Sequence, residues 1–227
     1  FVVATKYTLF HRRDDPNASG NQRKNMVQSL EASLKRLKME YVDLFYVHAW
    51  DFLTPVDEVM RGLDDLVRGG KVLYVGVSDT PAWVVAQANT LADLRGWSRF
   101  VSLQIRYSLI DRAAERDLLP MARSLGLAVT PWSILGAGVL TGKYRGGSHV
   151  EGRAARWERR ERDMRLADEV AAVAEEIGTT SSQVAINWVR QTEAAAGGTI
   201  IPLIGARTVQ QLEDNLASLA HPLSDAQ

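Results

Sequence analysis

Two rhythms of apolar residues alternate along the chain. Short continuous runs, FVVATK (1–6), VDLFYVH (42–48), LYVGVS (73–78), VSLQI (101–105), LAVTPW (127–132) and TIIPLI (199–204), read as buried strands. Between them apolar residues recur at the helical spacing of three and four. Met26, Leu30, Leu34 and Leu37 do so first, then Leu166, Val170, Val173 and Ile177, then Val209, Leu212 and Leu216. Polar residues punctuate these segments. In TPVDEVMRGLDDLVRGG, Thr54 is predicted as N-cap, Pro55 as first helical residue and Asp57 as a capping-box carboxylate, with Gly69 and Gly70 as the stop. Thr80–Pro81, Asp111 and Ser181–Ser182 are predicted to open three further helices, and the strand at 127–132 runs into a Gly-rich turn. A charged stretch, RAARWERRERDMR (153–165), leads into the helix of Leu166.

Six strands, each followed by a helix and none joined by a hairpin signal, predict an α/β fold with a parallel sheet covered on both faces. An open doubly wound sheet predicts a Gly-x-Gly-x-x-Gly turn after an early strand, and the chain has none. The remaining architecture is a (β/α)8 TIM barrel, in which polar residues at the C-terminal ends of strands converge on one site. Lys6, His48, Ser78, Gln104 and Trp132–Ser133 stand at such ends. A barrel takes about 250 residues for eight units, or about 31 per unit. Residues 1–227 are therefore expected to form a single incomplete barrel domain of six units. About two units, roughly 60 residues, are expected upstream. A first residue of Phe1 and a closing LSDAQ that reads as a helix N-cap point the same way.

Composition narrows the partners. Hydrophobic residues make up 46% and charged ones 24%, enough apolar material for a large core. Lys+Arg and Asp+Glu are both 27, so no net field draws the chain to nucleic acid or to an anionic membrane. The absence of cysteine removes disulfides and thiolate metal sites and fits a reducing cytoplasmic setting. No apolar run reaches membrane-spanning length, and no metal site is predicted. A small-molecule partner is what remains, with homo-oligomerisation left open.

The fragments ATK, DLFYVHAWD, GKVLYVGVSD, QIRYS, PWSILGAGVLTGKY and IPLIGARTVQQLEDN follow one another in the order and spacing of the aldo-keto reductases, which the chain resembles over essentially its whole length. VSDT, WSILGAGVLTGKY and GARTVQQLEDN resemble in particular the bacterial branch related to potassium-channel β-subunits. The resemblance implies an oxidoreductase that uses NADP(H) to reduce aldehyde and ketone carbonyls by hydride transfer. It implies catalytic roles for His48, as donor to the carbonyl oxygen, and for Lys6, whose charge favours ionisation of a neighbouring acid. In the family that acid is a tyrosine, and an aspartate pairs with the lysine. Both belong to a unit before ATK, and no tyrosine in the chain is an evident substitute. Tyr7 points to the opposite side of the strand from Lys6, and Tyr46 shares the face of His48 but lies deeper.

Cofactor contacts follow from the same likeness. Ser78, Asp79 and Gln104 match the nicotinamide-amide positions, although Asp79 stands where asparagine is common and a carboxylate cannot donate. Trp132 matches an aromatic that stacks on the nicotinamide. Ser133, Leu135, Gly138, Thr141 and Lys143 match the pyrophosphate belt, where glycine lets backbone approach closely. Gly205, Arg207, Gln211, Asp214 and Asn215 match the region of the adenosine phosphate, with a guanidinium suited to phosphate geometry. Trp50 and Tyr107 are the candidate walls of the substrate pocket. Two rivals stand beside this reading: an NADPH-binding regulatory subunit with negligible turnover, and a Schiff-base aldolase using Lys6.

Overall fold

The structure, a computed structural model, describes residues 1–10, 12, 14–144, 160–195 and 197–227. Residues 153–159 of the charged stretch lie outside the described residues. The chain divides into two compact units: Phe1–Gln104 with Asp117–Ala128, and Ile105–Arg116 with Val129–Gln227.

In the first unit strands and helices alternate as β1 (Ala4–Tyr7), α1 (Arg23–Leu37), β2 (Val42–Val47), α2 (Val56–Arg68), β3 (Val72–Ser78), α3 (Ala82–Arg95), β4 (Phe100–Arg106, counted to Gln104) and α4 (Leu118–Leu125). β1 pairs with β2, β2 with β3 and β3 with β4, all parallel. Lys6 lies opposite Tyr46, Tyr46 opposite Gly76, and Ser78 opposite Gln104. Phe45, Phe100, Met26, Leu30, Met60 and Leu63 are completely enclosed or nearly so. Each such side chain contributes about 1.5–3 kcal/mol of burial. The apolar stripe of α1 buries Met26, Leu30 and Leu34, whereas Leu37 at the helix end stays exposed.

Gly76 has a steric reason. A Cβ there would lie 2.5 Å from the Tyr46 ring, so only glycine lets that ring cross β3, where its hydroxyl meets Ser102 Oγ at 2.7 Å.

Helix starts differ from the sequence pattern. Pro55, not Thr54, is the N-cap of α2 and no side chain caps it, because Thr54 donates both its N–H and its hydroxyl to Asp51. Asp57 therefore closes no capping box but sits in the first turn, where its charge suits the helix dipole. Pro81 likewise caps α3 while Thr80 turns back to the Ser78 carbonyl. Gly69 and Gly70 end α2 as predicted, with Gly70 at φ +72. Asp111 opens no long helix. It pairs with Arg106, a short 3-10 turn follows at Ala113–Glu115, and Asp117 caps α4 through Leu118 N–H.

The second unit carries most of β5 (Ala128–Trp132), then α5 (Glu161–Glu176), α6 (Ser181–Ala195) and α7 (Val209–Ala217). Leu140, Val170, Ala174, Val184 and Ala185 form one of its cores. Among the described residues five strands are therefore observed, not six. The run at 199–204 makes a single parallel bridge, Val129 with Ile200, although Val129 N–H donates to Thr199, Ile201 N–H to Val129 and Leu203 N–H to Pro131. Pro131 explains the interruption, because it has no N–H to give to the carbonyl of Ile201. Among the described residues no helix is long and apolar enough to cross a membrane.

Candidate active site

Three strand ends of the first unit bring together a cation, an imidazole and a carboxylate. Lys6 is half-buried near the end of β1, its Nζ 5.4 Å from the centroid of the Tyr46 ring. His48 follows β2 and its backbone N–H donates to the Tyr7 carbonyl at 3.1 Å. Asp79 follows β3 in a left-handed conformation (φ +36), with its carbonyl accepting from Trp50 N–H at 3.3 Å. Burial lowers the pKa of the Lys6 amine, against the pull of the Asp79 carboxylate. Burial also pushes His48 below its ordinary range; the positive charge of Lys6 adds to this and Asp79 opposes it. A neutral imidazole keeps one N–H donor and one acceptor. A small cavity of about 90 Å³ is lined by Lys6, His48, Tyr7, Ser29, Ser33 and Arg36, among others.

Ser78 and Gln104 are buried and face each other in register, so the structure brings this expected pair together. Trp50 is buried as well. Neither the tyrosine of β1 nor that of β2 has its hydroxyl turned to the lysine. Tyr7, stacked on Phe45, donates to the Asn21 carbonyl, and burial raises its pKa well above the ordinary value. Tyr46 is paired with Ser102.

The second unit holds a larger cavity of about 850 Å³, within the roughly 300–1,000 Å³ that small-molecule sites occupy. Leu135, Gly138, Thr141 and Lys143 line it from the turn after β5, and Gly205, Arg207, Gln211, Asp214 and Asn215 from α7 and the loop before it. Every one of these was expected from the sequence. The turn, a 3-10 segment at Gly136–Thr141, is left-handed at Ala137 and Gly138. A Cβ on Gly138 (φ +98) would come within 2.9 Å of Lys143 Cε. Thr141 Oγ1 donates to the Gly138 carbonyl at 2.8 Å and braces the same turn.

On the other wall Thr208 caps α7, and Gln211 Oε1 accepts the Arg207 N–H at 2.8 Å. Asp214 accepts from Thr180 Oγ1 at 3.0 Å and from Gln183 Nε2 at 2.7 Å. Its carboxylate is thereby a brace between α6 and α7. Two cationic side chains, Lys143 on the bent turn after β5 and Arg207 on the wall opposite, suit a phosphate-bearing ligand.

Three lining residues escaped the sequence reading: Ala137, Ser182 and Ala206. Ser182 had a signal, since it lies in the first turn of α6, where backbone N–H groups lack helical partners. Trp132 and Ser133 do not line this cavity. Trp132 is 36% exposed with the Arg106 guanidinium 5.9 Å over its ring, and Ser133 is a left-handed turn residue (φ +60). Tyr107, expected as a substrate wall, is fully buried: its hydroxyl donates to Glu115 at 2.8 Å and its ring packs on Trp188. It presents no surface to a substrate.

Residues 1–227 match the Aldo/keto reductase family. The chain belongs to that family. This aldo-keto reductase is 40% identical over 231 residues to a norsolorinic acid reductase of Emericella nidulans, covering 99% of the chain and 58% of that protein. It is 34% identical over 239 residues to a probable aryl-alcohol dehydrogenase of Saccharomyces cerevisiae, covering 100% of the chain and 71% of that relative. An NADP(+)-dependent aryl-alcohol dehydrogenase of Phanerodontia chrysosporium is 39% identical over 247 residues, with 62% of its length covered. The chain thus spans less than two thirds of the length of the first and third of these relatives.

Proposed function

We propose that the protein is an NADPH-dependent reductase of aromatic aldehydes and ketones on a (β/α)8 barrel, acting in a reducing cytoplasmic setting. The observation that carries this reading is the cavity bearing Lys143 and Arg207 in a chain of this family. Arg207 and Lys143 would hold the phosphates, with Gly138 and Thr141 shaping the turn beneath them. Ser78 and Gln104 would take the nicotinamide amide, and Trp132 its ring face. When bound, NADPH supplies the hydride.

The chain's own residues orient and polarise the carbonyl. His48, kept neutral by burial and by Lys6, donates its N–H to the carbonyl oxygen and fixes its orientation. Lys6 holds positive charge beside the oxygen as negative charge develops there. The resemblance assigns the proton of the product alcohol to a tyrosine, and Tyr7 and Tyr46, bound to the Asn21 carbonyl and to Ser102, are not placed to deliver it. The aromatic substrate class rests on the relatives' names, a reductase of norsolorinic acid and aryl-alcohol dehydrogenases.

The finer likeness to the branch related to potassium-channel β-subunits rests on VSDT, WSILGAGVLTGKY and GARTVQQLEDN. The fungal reductases and yeast aryl-alcohol dehydrogenases among its relatives favour turnover over a regulatory role. NADPH oxidation against a panel of aryl aldehydes, aryl ketones and quinones tests the proposal. Consumption of NADPH with the aryl carbonyls supports it. Tight NADPH binding without turnover on any of them supports the regulatory subunit instead, and borohydride trapping of a substrate on Lys6 supports the aldolase.

A further inference from the structure

We infer that Asn21 is a positioning residue for His48 and Lys6, tying the loop after β1 to the loop after β2; this rests on the catalytic roles proposed above. Asn21 is completely buried, in the loop before α1. Its Nδ2 donates to Thr8 Oγ1 and to the Ala49 carbonyl, both at 2.9 Å. Its Oδ1 accepts from Asp51 N–H at 2.7 Å, and its own N–H donates to Asp51 Oδ2 at 2.7 Å. Its carbonyl accepts from the Tyr7 hydroxyl at 3.2 Å.

Thr8 comes two residues after Lys6, and Ala49 directly follows His48. One side chain therefore grips both loops immediately beyond the two proposed catalytic residues. The far ends are fixed too. Asp51 accepts from the N–H groups of Leu53 and Thr54 at 2.9 Å and from the Thr54 hydroxyl at 2.8 Å. Thr8 is held at φ +106, a conformation uncommon for a β-branched residue, with its carbonyl bound by Gly20 N–H at 2.7 Å. Strain of this kind persists where surrounding contacts over-determine it. A buried amide is suited to the task, since it offers donors and an acceptor without adding a charge that would perturb Lys6 or His48. Nothing in Asn21 itself reaches toward a substrate; it acts through the backbone.

A displacement of about 1 Å at a reacting group can cost on the order of a hundredfold in rate. In the intact enzyme, Asn21→Ala is expected to lower kcat about ten- to a hundred-fold. NADPH affinity, measured by fluorescence titration, should stay within about twofold, because a residue acting only through orientation leaves ground-state binding unchanged. The decisive comparison is the double variant Asn21→Ala with His48→Ala, whose loss should fall short of the product of the two single losses, since part of the Asn21 effect passes through His48. An unchanged kcat, an additive double variant, or a parallel loss of NADPH affinity overturns the proposal. Thr8→Val removes only the Oγ1 acceptor and keeps the shape, so it decides the matter if Asn21→Ala does not fold; it should lower kcat by a smaller factor, and an unchanged rate there overturns the inference. His48→Ala at full rate would overturn the site reading and this proposal together. A slow His48→Ala beside a fast Asn21→Ala would overturn this proposal alone.

Discussion

Around Lys6 and His48 the polar groups are bound to one another: Asn21, Asp51, Thr8 and Thr54 form a closed set of short hydrogen bonds. Around Arg207 the polar groups instead ring a space of about 850 Å³, braced from behind by bonds such as those of Asp214 with Gln183 and of Gln211 with the Arg207 backbone. The first arrangement restricts how far two small groups can move. The second surrounds room for a large ligand. An oriented carbonyl needs accuracy of a few tenths of an ångström, while a dinucleotide gains affinity from many contacts spread along its length. Substitutions in the two regions should therefore affect different measured quantities.

The largest expected effect is on rate. His48→Ala should lower kcat by about 10²–10⁴-fold, the range of one positioned donor, with NADPH affinity nearly unchanged in a fluorescence titration. Next comes affinity. Arg207→Ala should weaken NADPH about ten- to a hundred-fold, corresponding to the roughly 1.5–3 kcal/mol of a charge-assisted pair, and leave NADH almost untouched. Equal weakening of both cofactors would remove Arg207 from the 2′-phosphate. If either variant instead changes the quantity assigned to the other region, the contrast between them is lost.

Stability gives a smaller signal. Gly138→Ala should cost about 1–2 kcal/mol, read from the urea midpoint, because residue 138 is left-handed, while Lys143 Cε, 2.9 Å from the added carbon, is pushed aside. The same variant should weaken NADPH, whereas a glycine serving only the fold would leave binding alone.

The smallest effect is a pH dependence. The folded His48 has a pKa below the 6.5 of a free imidazole, so between that lower value and 6.5 the unfolded chain binds more protons than the folded one. Stability therefore falls as pH drops through this window and levels off below the folded pKa. Urea titrations from about pH 7 to about pH 5 should show a steeper loss in the wild type than in His48→Gln. Identical slopes would mean that burial does not hold the imidazole neutral.

Much of this was legible in the sequence where the signal is local. The apolar runs at 42–48 and 73–78 became β2 (Val42–Val47) and β3 (Val72–Ser78), with each end within one residue of the expected one. Gln211 and Asn215, four residues apart on α7, share a cavity wall as helical spacing requires, and Arg207 joins them from the loop before the helix. What failed depended on partners distant in the chain. Thr54 looks like an N-cap until Asp51 takes its hydroxyl, and the ladder at 199–204 depends on a missing N–H about seventy residues earlier, at Pro131. Asn21 gave no sign at all. It stands in a polar stretch, GNQRKN, thirty residues from the aspartate it binds, and neither residue follows a periodicity that would join them.

Gly76 has a consequence for how this sheet can change over time. The Tyr46 ring fills the space a side chain at 76 would need, its hydroxyl reaches Ser102 on the next strand, and Lys6 lies over the ring on the other side. Four neighbouring strands thus share one aromatic wedge. Enlarging residue 76 requires a smaller residue at 46, and a smaller residue at 46 leaves Lys6 without the surface beneath its ammonium. Change at these positions is therefore expected to come as a block: replacing the glycine disturbs the tyrosine, its hydroxyl partner and the support of the lysine together.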